Sequence, residues 1–383
     1  MKMKLSTGLL SVTAVSLFTL AGTAAAVEPI KLRWASDHSG PPHPAAIAEV
    51  YFAEKLEEKV PGSQVQLFWA KSLYDIPQGA RAMSQGNLEM ITGQFGKTAP
   101  VEPLANVVLG AGKLTTPGAI GKVGTTETFK TFADVMKQKH GITVIGSGDM
   151  SMYMGVGGIE SRYLAPDDFK GSKIRSMGPA ENALLSALGS NPTAMAFGDV
   201  PTALQTGVID GLLTSLGGFN AVKEQAPYFS VAGLNGIVGD YYWFGVGDRW
   251  WNSLADDQRA AIMDVFENDF LPFQRAINFC NDQRLVNRFG TDDKGEPGIY
   301  VMTPEESAAI VEAEGGATNE WIKTKVDDQG DALVEQFTIE AAQLVKDNPM
   351  GSSEVEQVDC AQYDDVFARY APGGALAGAN SRK

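Results

Sequence analysis

The stretch from Lys173 to Thr214 switches repeatedly between strand and helix periodicity, and that alternation restricts the fold more than any other feature of the chain. "SKIRSM" reads as a strand. Pro179 near a first helical position, Glu181 in the first turn and the stripe Leu184, Leu185 and Leu188 read as a helix stopped at Gly189. "PTAMAF" reads as the next strand, Asp199 as the cap of a helix "VPTALQT" ended by Gly207, and "VIDGLLT" as a strand again. A β-α-β-α-β run of this kind builds a parallel sheet, because strands joined through helices run the same way. The loops after Arg175, Phe197 and Leu213 should then share the carboxyl edge of the sheet, where such folds bind ligands.

The alternation extends in both directions. Ile30 to Ala35 is strand-like, followed by the loop "SDHSGPPHP" and a helical pattern that Pro61-Gly62 ends. "SQVQLFWA" and "NLEMITG" flank a helix closed by Gly86. A helix from about Thr125 to His140 leads into the strand-like runs "ITVIGSG" and "MYMGVGG". Downstream, "DYYWFGVGDRWW" is an aromatic strand and turn, and a long helix is expected from about Ala255 to Arg288. "GIYVMTPEE" precedes a second long helix to about Val345, and Asp347 to Lys383 reads as a tail that wraps the body.

Lys2 and Lys4, the apolar run Leu9 to Ala21 and Ala24-Ala25-Ala26 form the pattern of a secretory signal peptide, with a mature start near Val27. The apolar run is too short for a membrane span. Loss of the two lysines moves the net charge from −15 to −17, which argues against nucleic acid and anionic membrane surfaces as partners. The even cysteine count, Cys280 and Cys360, favours one disulfide in an exported chain, with two buried thiols as the other possibility.

No catalytic apparatus emerges. "GQFGKT" (Gly93 to Thr98) lacks the first glycine of a phosphate loop, and "GSGDMS" has only part of a dinucleotide fingerprint. No G-x-S-x-G elbow occurs. His38 and His43 share a proline-rich loop without the neighbours a metal site needs. The profile is that of an exported two-lobed α/β binding protein. An exported enzyme, such as a lyase using His38 or His43, is the competing reading, and a sensory ligand-binding protein is a third.

"FKGSKIR…ALGSNPTAMAFGDVPTALQTGVIDG" resembles the signature of the DctP-type solute-binding proteins of tripartite ATP-independent periplasmic (TRAP) transporters. "QLFWAKSLYDIPQGARAMSQGNLEM" and "FGVGDRWWNSLADDQRAAI" are similar to further stretches of that family. The resemblance implies a periplasmic α/β protein of two lobes joined by a hinge, with a long helix spanning both. Lobe I would comprise 27–152 plus about 241–280, lobe II about 153–240 plus 281–346, and the tail 347–383. It implies no cofactor and no catalytic residue, but a small carboxylate ligand, a C4-dicarboxylate or another mono- or dicarboxylate, delivered to TRAP membrane subunits by a protein that does not itself span the membrane. In the family an arginine at the position of Arg175 pairs with the ligand carboxylate; a guanidinium fork suits that task. "DGLLTS" departs from the family's D-G-Q-E-N and puts Thr214 at a pocket position, "SMYMGVGG" offers no second arginine, and "KSLYD" replaces a glycine loop. A less polar ligand with one main carboxylate is therefore expected, met by Arg175, Thr214, Met152, Met154, Tyr242, Trp243 and His38.

Overall fold

Two mixed β-sheets divide the chain, and the crossings between them create the cleft. The computed structural model describes residues 27–110, 114–231, 241–326, 329–371 and 373–376. The expected signal peptide, 1–26, and the last residues of the tail lie outside them. The strands are β1 (Lys31–Ser36), β2 (Gln64–Phe68), β3 (Met90–Gln94), β4 (Ile142–Asp149), β5 (Met154–Gly158), β6 (Ile174–Ser176), β7 (Thr193–Ala194), β8 (Gly211–Ser215), β9 (Tyr228–Val231), β10 (Tyr241–Gly247) and β11 (Gly298–Val301). The first sheet has the order β2-β1-β3-β10-β4 and the second β11-β9-β5-β8-β6-β7.

β1, β2 and β3 run parallel, as the helix-linked pattern requires. β10 enters antiparallel between β3 and β4, and β5 lies antiparallel between β8 and β9. The chain thus leaves the first sheet after Asp149, builds the second, and returns to the first at Tyr241. β6 pairs in parallel with β7 and β8, so the β-α-β-α-β reading holds, although "PTAMAF" contributes only two residues of strand. Asp199 makes no side-chain cap bond.

Four helices place the site. Helix α1 (Pro44–Lys59) packs on the first sheet, α2 (Pro179–Ala187) follows β6, α3 (Leu216–Val222) follows β8, and α4 (Leu271–Phe289) runs between lobes. A helical run does extend from Asp256 to Phe289, through a π-helical turn at Val265–Phe270. Pro272, which lacks an N–H and crowds the preceding turn, sits just after that wider turn. α4 packs against α1 and β4 on one side and α3 and β11 on the other. The second long helix of the sequence reading is instead three pieces: Pro304–Glu314, Ala317–Lys323 and Gly330–Asp347. Gly315 and Gly316 both adopt positive φ, which breaks the helix where only glycine is unstrained.

α4 also holds the crossing between sheets. Asp282 Oδ2 accepts from Ser151 Oγ and the Met152 amide at 2.7 Å, and from the Tyr153 amide at 3.3 Å. Gln274 accepts from the Asp149 amide and donates to its carbonyl. Cys280, between these two residues, is disulfide-bonded to Cys360, so the tail is fastened to the same helix. Beyond it, Phe367 and Tyr370 are buried in the core.

Candidate functional site

The carboxyl ends of β6 and β8 face the first sheet across a cavity of about 50 Å³. From the second lobe it is lined by Arg175, Met177, Phe197, Thr214 and Ser215; from the first by Asp37, His38, His43, Gln94, Lys97 and Tyr242, with Met150 at the crossing. A larger cavity, about 700 Å³, lies between α4 and the tail, but no residue expected at the ligand lines it. Chemistry therefore favours the smaller space.

Arg175 lies on β6 and is 1% exposed. Its Nε donates to the Met195 carbonyl and its Nη1 to the Leu213 carbonyl, both at 2.9 Å, and its guanidinium stands 5.8 Å from the Phe197 ring centre. A cation held by backbone dipoles and an aromatic face is kept oriented at the cavity wall. Thr214 is buried on β8, and α3 comes so close that a Cβ on Gly218 would meet the Thr214 Oγ1 at 2.1 Å. Glycine is required there by contact rather than by backbone angle.

The opposite wall is a polar network. Glu49 on α1 is buried and accepts from Ser36 Oγ (2.6 Å), Thr92 Oγ1 (2.7 Å), His38 Nε2 (3.0 Å) and Trp69 Nε1 (2.6 Å). Burial by itself would lower His38, but the Glu49 carboxylate outweighs it and raises the imidazole above its ordinary value. His43 stacks on His38 with ring centres 4.9 Å apart. Burial, then the positive charges of His38 and Lys97, push His43 well below its usual range, so it is neutral. Its Nδ1 accepts from the Ala45 amide, which leaves the proton on Nε2. Lys97 Nζ donates to Asp37 Oδ2 at 2.6 Å; burial works to raise Asp37, and the ammonium overrides it and lowers the carboxyl.

Of the residues expected from sequence, Arg175, Thr214, His38 and Tyr242 come together here. Met152, Met154 and Trp243 do not line the cavity. Strand alternation turns Trp243 to the face opposite Tyr242, where its indole covers Gly93 and its Nε1 donates to Thr98 Oγ1 at 2.8 Å. Met152 is held by Asp282 at the crossing, and Met154 begins β5, paired with Ser215; Met150 and Met177 supply the cavity's thioethers instead. Asp37, His43, Gln94 and Lys97 were not anticipated. Lys97 lies in the "GQFGKT" stretch, in a helical turn three residues beyond β3, and His43 caps α1 at the end of the loop that follows β1, so neither carried a local signal beyond a polar residue near the end of a strand or the start of a helix.

The sequence profile of the bacterial extracellular solute-binding proteins, family 7 (DctP), matches residues 36–324. The chain belongs to this family. It is accordingly a solute-binding receptor that works outside the cytoplasm, not an enzyme. A solute-binding protein of Chromohalobacter salexigens is 28% identical over 62% of this chain and 70% of its own length. The C4-dicarboxylate-binding periplasmic protein of Rhodobacter capsulatus is 26% identical over 79% of this chain and 88% of its own. Among solved structures, the sugar acid binding protein of Advenella mimigardefordensis in complex with galactonate superposes with a TM-score of 0.72 at 18% identity, covering 83% of this chain and 99% of the other. For a DctP-family chain the two-sheet architecture is thus the shared fold. Among the described residues no helix is long and apolar enough to cross a membrane, and no acidic, histidine or cysteine cluster could hold a metal ion.

Proposed function

We propose that this DctP-family protein captures a small organic acid between its lobes and delivers it to the membrane subunits of a TRAP transporter, with Arg175 as the carboxylate anchor. The observation that carries the reading is the buried Arg175 guanidinium, oriented by two backbone carbonyls at the wall of the interlobe cavity. A net charge of −15 repels anions at long range, so affinity comes from donors inside the cleft. The named ligands of relatives, a C4-dicarboxylate and galactonate, are carboxylates and support this chemistry. Residues 27–152 and about 241–280 act as one lobe and about 153–240 with 281–346 as the other, hinged where Gln274 and Asp282 grip Asp149–Tyr153. The chain is exported through residues 1–26 and cleaved near Val27, which mass spectrometry of periplasmic material would test.

A thermal-shift panel of organic acids tests the function. A bound acid raises stability by RT ln(1 + [L]/Kd), and the shift should vanish when Arg175 is replaced. No shift with any carboxylate, or shifts indifferent to Arg175, would refute the reading.

A further inference from the structure

Resting on the receptor reading above, we infer that the ligand is a short-chain hydroxy acid whose hydroxyl donates to one of two acceptors of the first lobe, Asp37 or Gln94. Both side chains line the cavity, and both are more than nine-tenths buried, at 9% and 7% exposure. Among the described residues, Asp37 Oδ1 and Gln94 Oε1 accept no hydrogen bond. Buried acceptors left unpaired are costly, and a site with such acceptors selects a ligand that brings donors. A carboxylate brings none. A dicarboxylate would set its second carboxylate against two acceptors, whereas a hydroxyl satisfies one of them.

The donor should be neutral. Lys97 already pairs with Asp37 at 2.6 Å, and among the described residues no second carboxylate lines the cavity, so an ammonium on the ligand would sit beside the Lys97 and Arg175 cations. Size narrows the class further. About 50 Å³ is room for a few water-sized groups, far below the several hundred Å³ of sites for large ligands. In this conformation that corresponds to an acid of about two to four carbons. This replaces the less polar ligand expected from sequence.

Calorimetric titration of the purified chain with lactate, 3-hydroxypropionate, propionate, alanine, succinate and glucuronate decides the matter. The better of the two hydroxy acids should bind about tenfold to hundredfold more tightly than propionate, on the usual cost of a buried group left unpaired. Gln94→Met, close in shape and without the amide, should shrink that ratio while propionate binding persists. Should the variant fail to fold by circular dichroism, the unmodified protein's ratio decides alone. Propionate equal to the hydroxy acids, or alanine, succinate or glucuronate binding more tightly than either, overturns the inference yet leaves a carboxylate receptor standing. If no acid of this panel binds, the inference falls, and the wider thermal-shift panel decides whether a carboxylate receptor stands.

Discussion

Replacing Arg175 by alanine should separate anchoring from folding. The side chain is 1% exposed, and two of its N–H groups serve the carbonyls of Met195 and Leu213. Leu213 is buried, so its carbonyl would lose a donor that water does not readily replace, at about 1–3 kcal/mol. Met195 is half-buried, and solvent can serve it. The alanine variant should therefore fold with a Tm lower by a few degrees. Ligand affinity should suffer more, because truncating one partner of a desolvated charge pair costs roughly 2–5 kcal/mol, a factor of tens to thousands at about 1.4 kcal/mol per tenfold. Arg175→Lys should recover part of the affinity and little of the orientation, since an ammonium lacks the planar fork that reaches a carbonyl and a carboxylate together. Calorimetry of the three proteins with the best acid of the panel, beside circular dichroism, gives both numbers. Undiminished affinity in a natively folded alanine variant would refute the anchor.

Thr214→Asn should change the ranking of acids, and because Gly218 leaves little space beside Oγ1 it should also cost some stability; an unaltered ranking in a competition titration would remove Thr214 from the ligand set. Denatured, unreduced protein should titrate with no free thiol, and reduction should lower stability by up to about 4 kcal/mol for a loop closed across 80 residues. Burial, against four hydrogen bonds that oppose it, raises Asp282 to about 7. The folded chain then binds more protons than the unfolded one between about pH 4 and 7. This contribution is full below that window and fades as pH rises through it, by at most about 4 kcal/mol. Asp282→Asn should flatten the dependence of Tm on pH there, and an unchanged slope would show that the hinge carboxylate does not titrate in that range.

Local signals in the sequence determined the elements that depend on neighbours along the chain. Strand-helix alternation, the glycines at 189 and 207 and the helical run after Ala255 were legible because periodicity and backbone freedom are properties of short segments. Arg175 was legible for a similar reason: it ends a strand within a motif read as a unit. Three-dimensional packing decided the rest. Whether a residue on a strand faces the cleft depends on register against a partner far away, and one step of register separates Tyr242 at the cavity from Trp243 beneath Gly93. Asp37, Gln94 and Lys97 acquire their role only when the first sheet meets Arg175 across the gap, a contact between segments roughly eighty to one hundred forty residues apart in the chain. The size of the cavity is likewise a property of two lobes together, since neither sheet encloses a volume by itself.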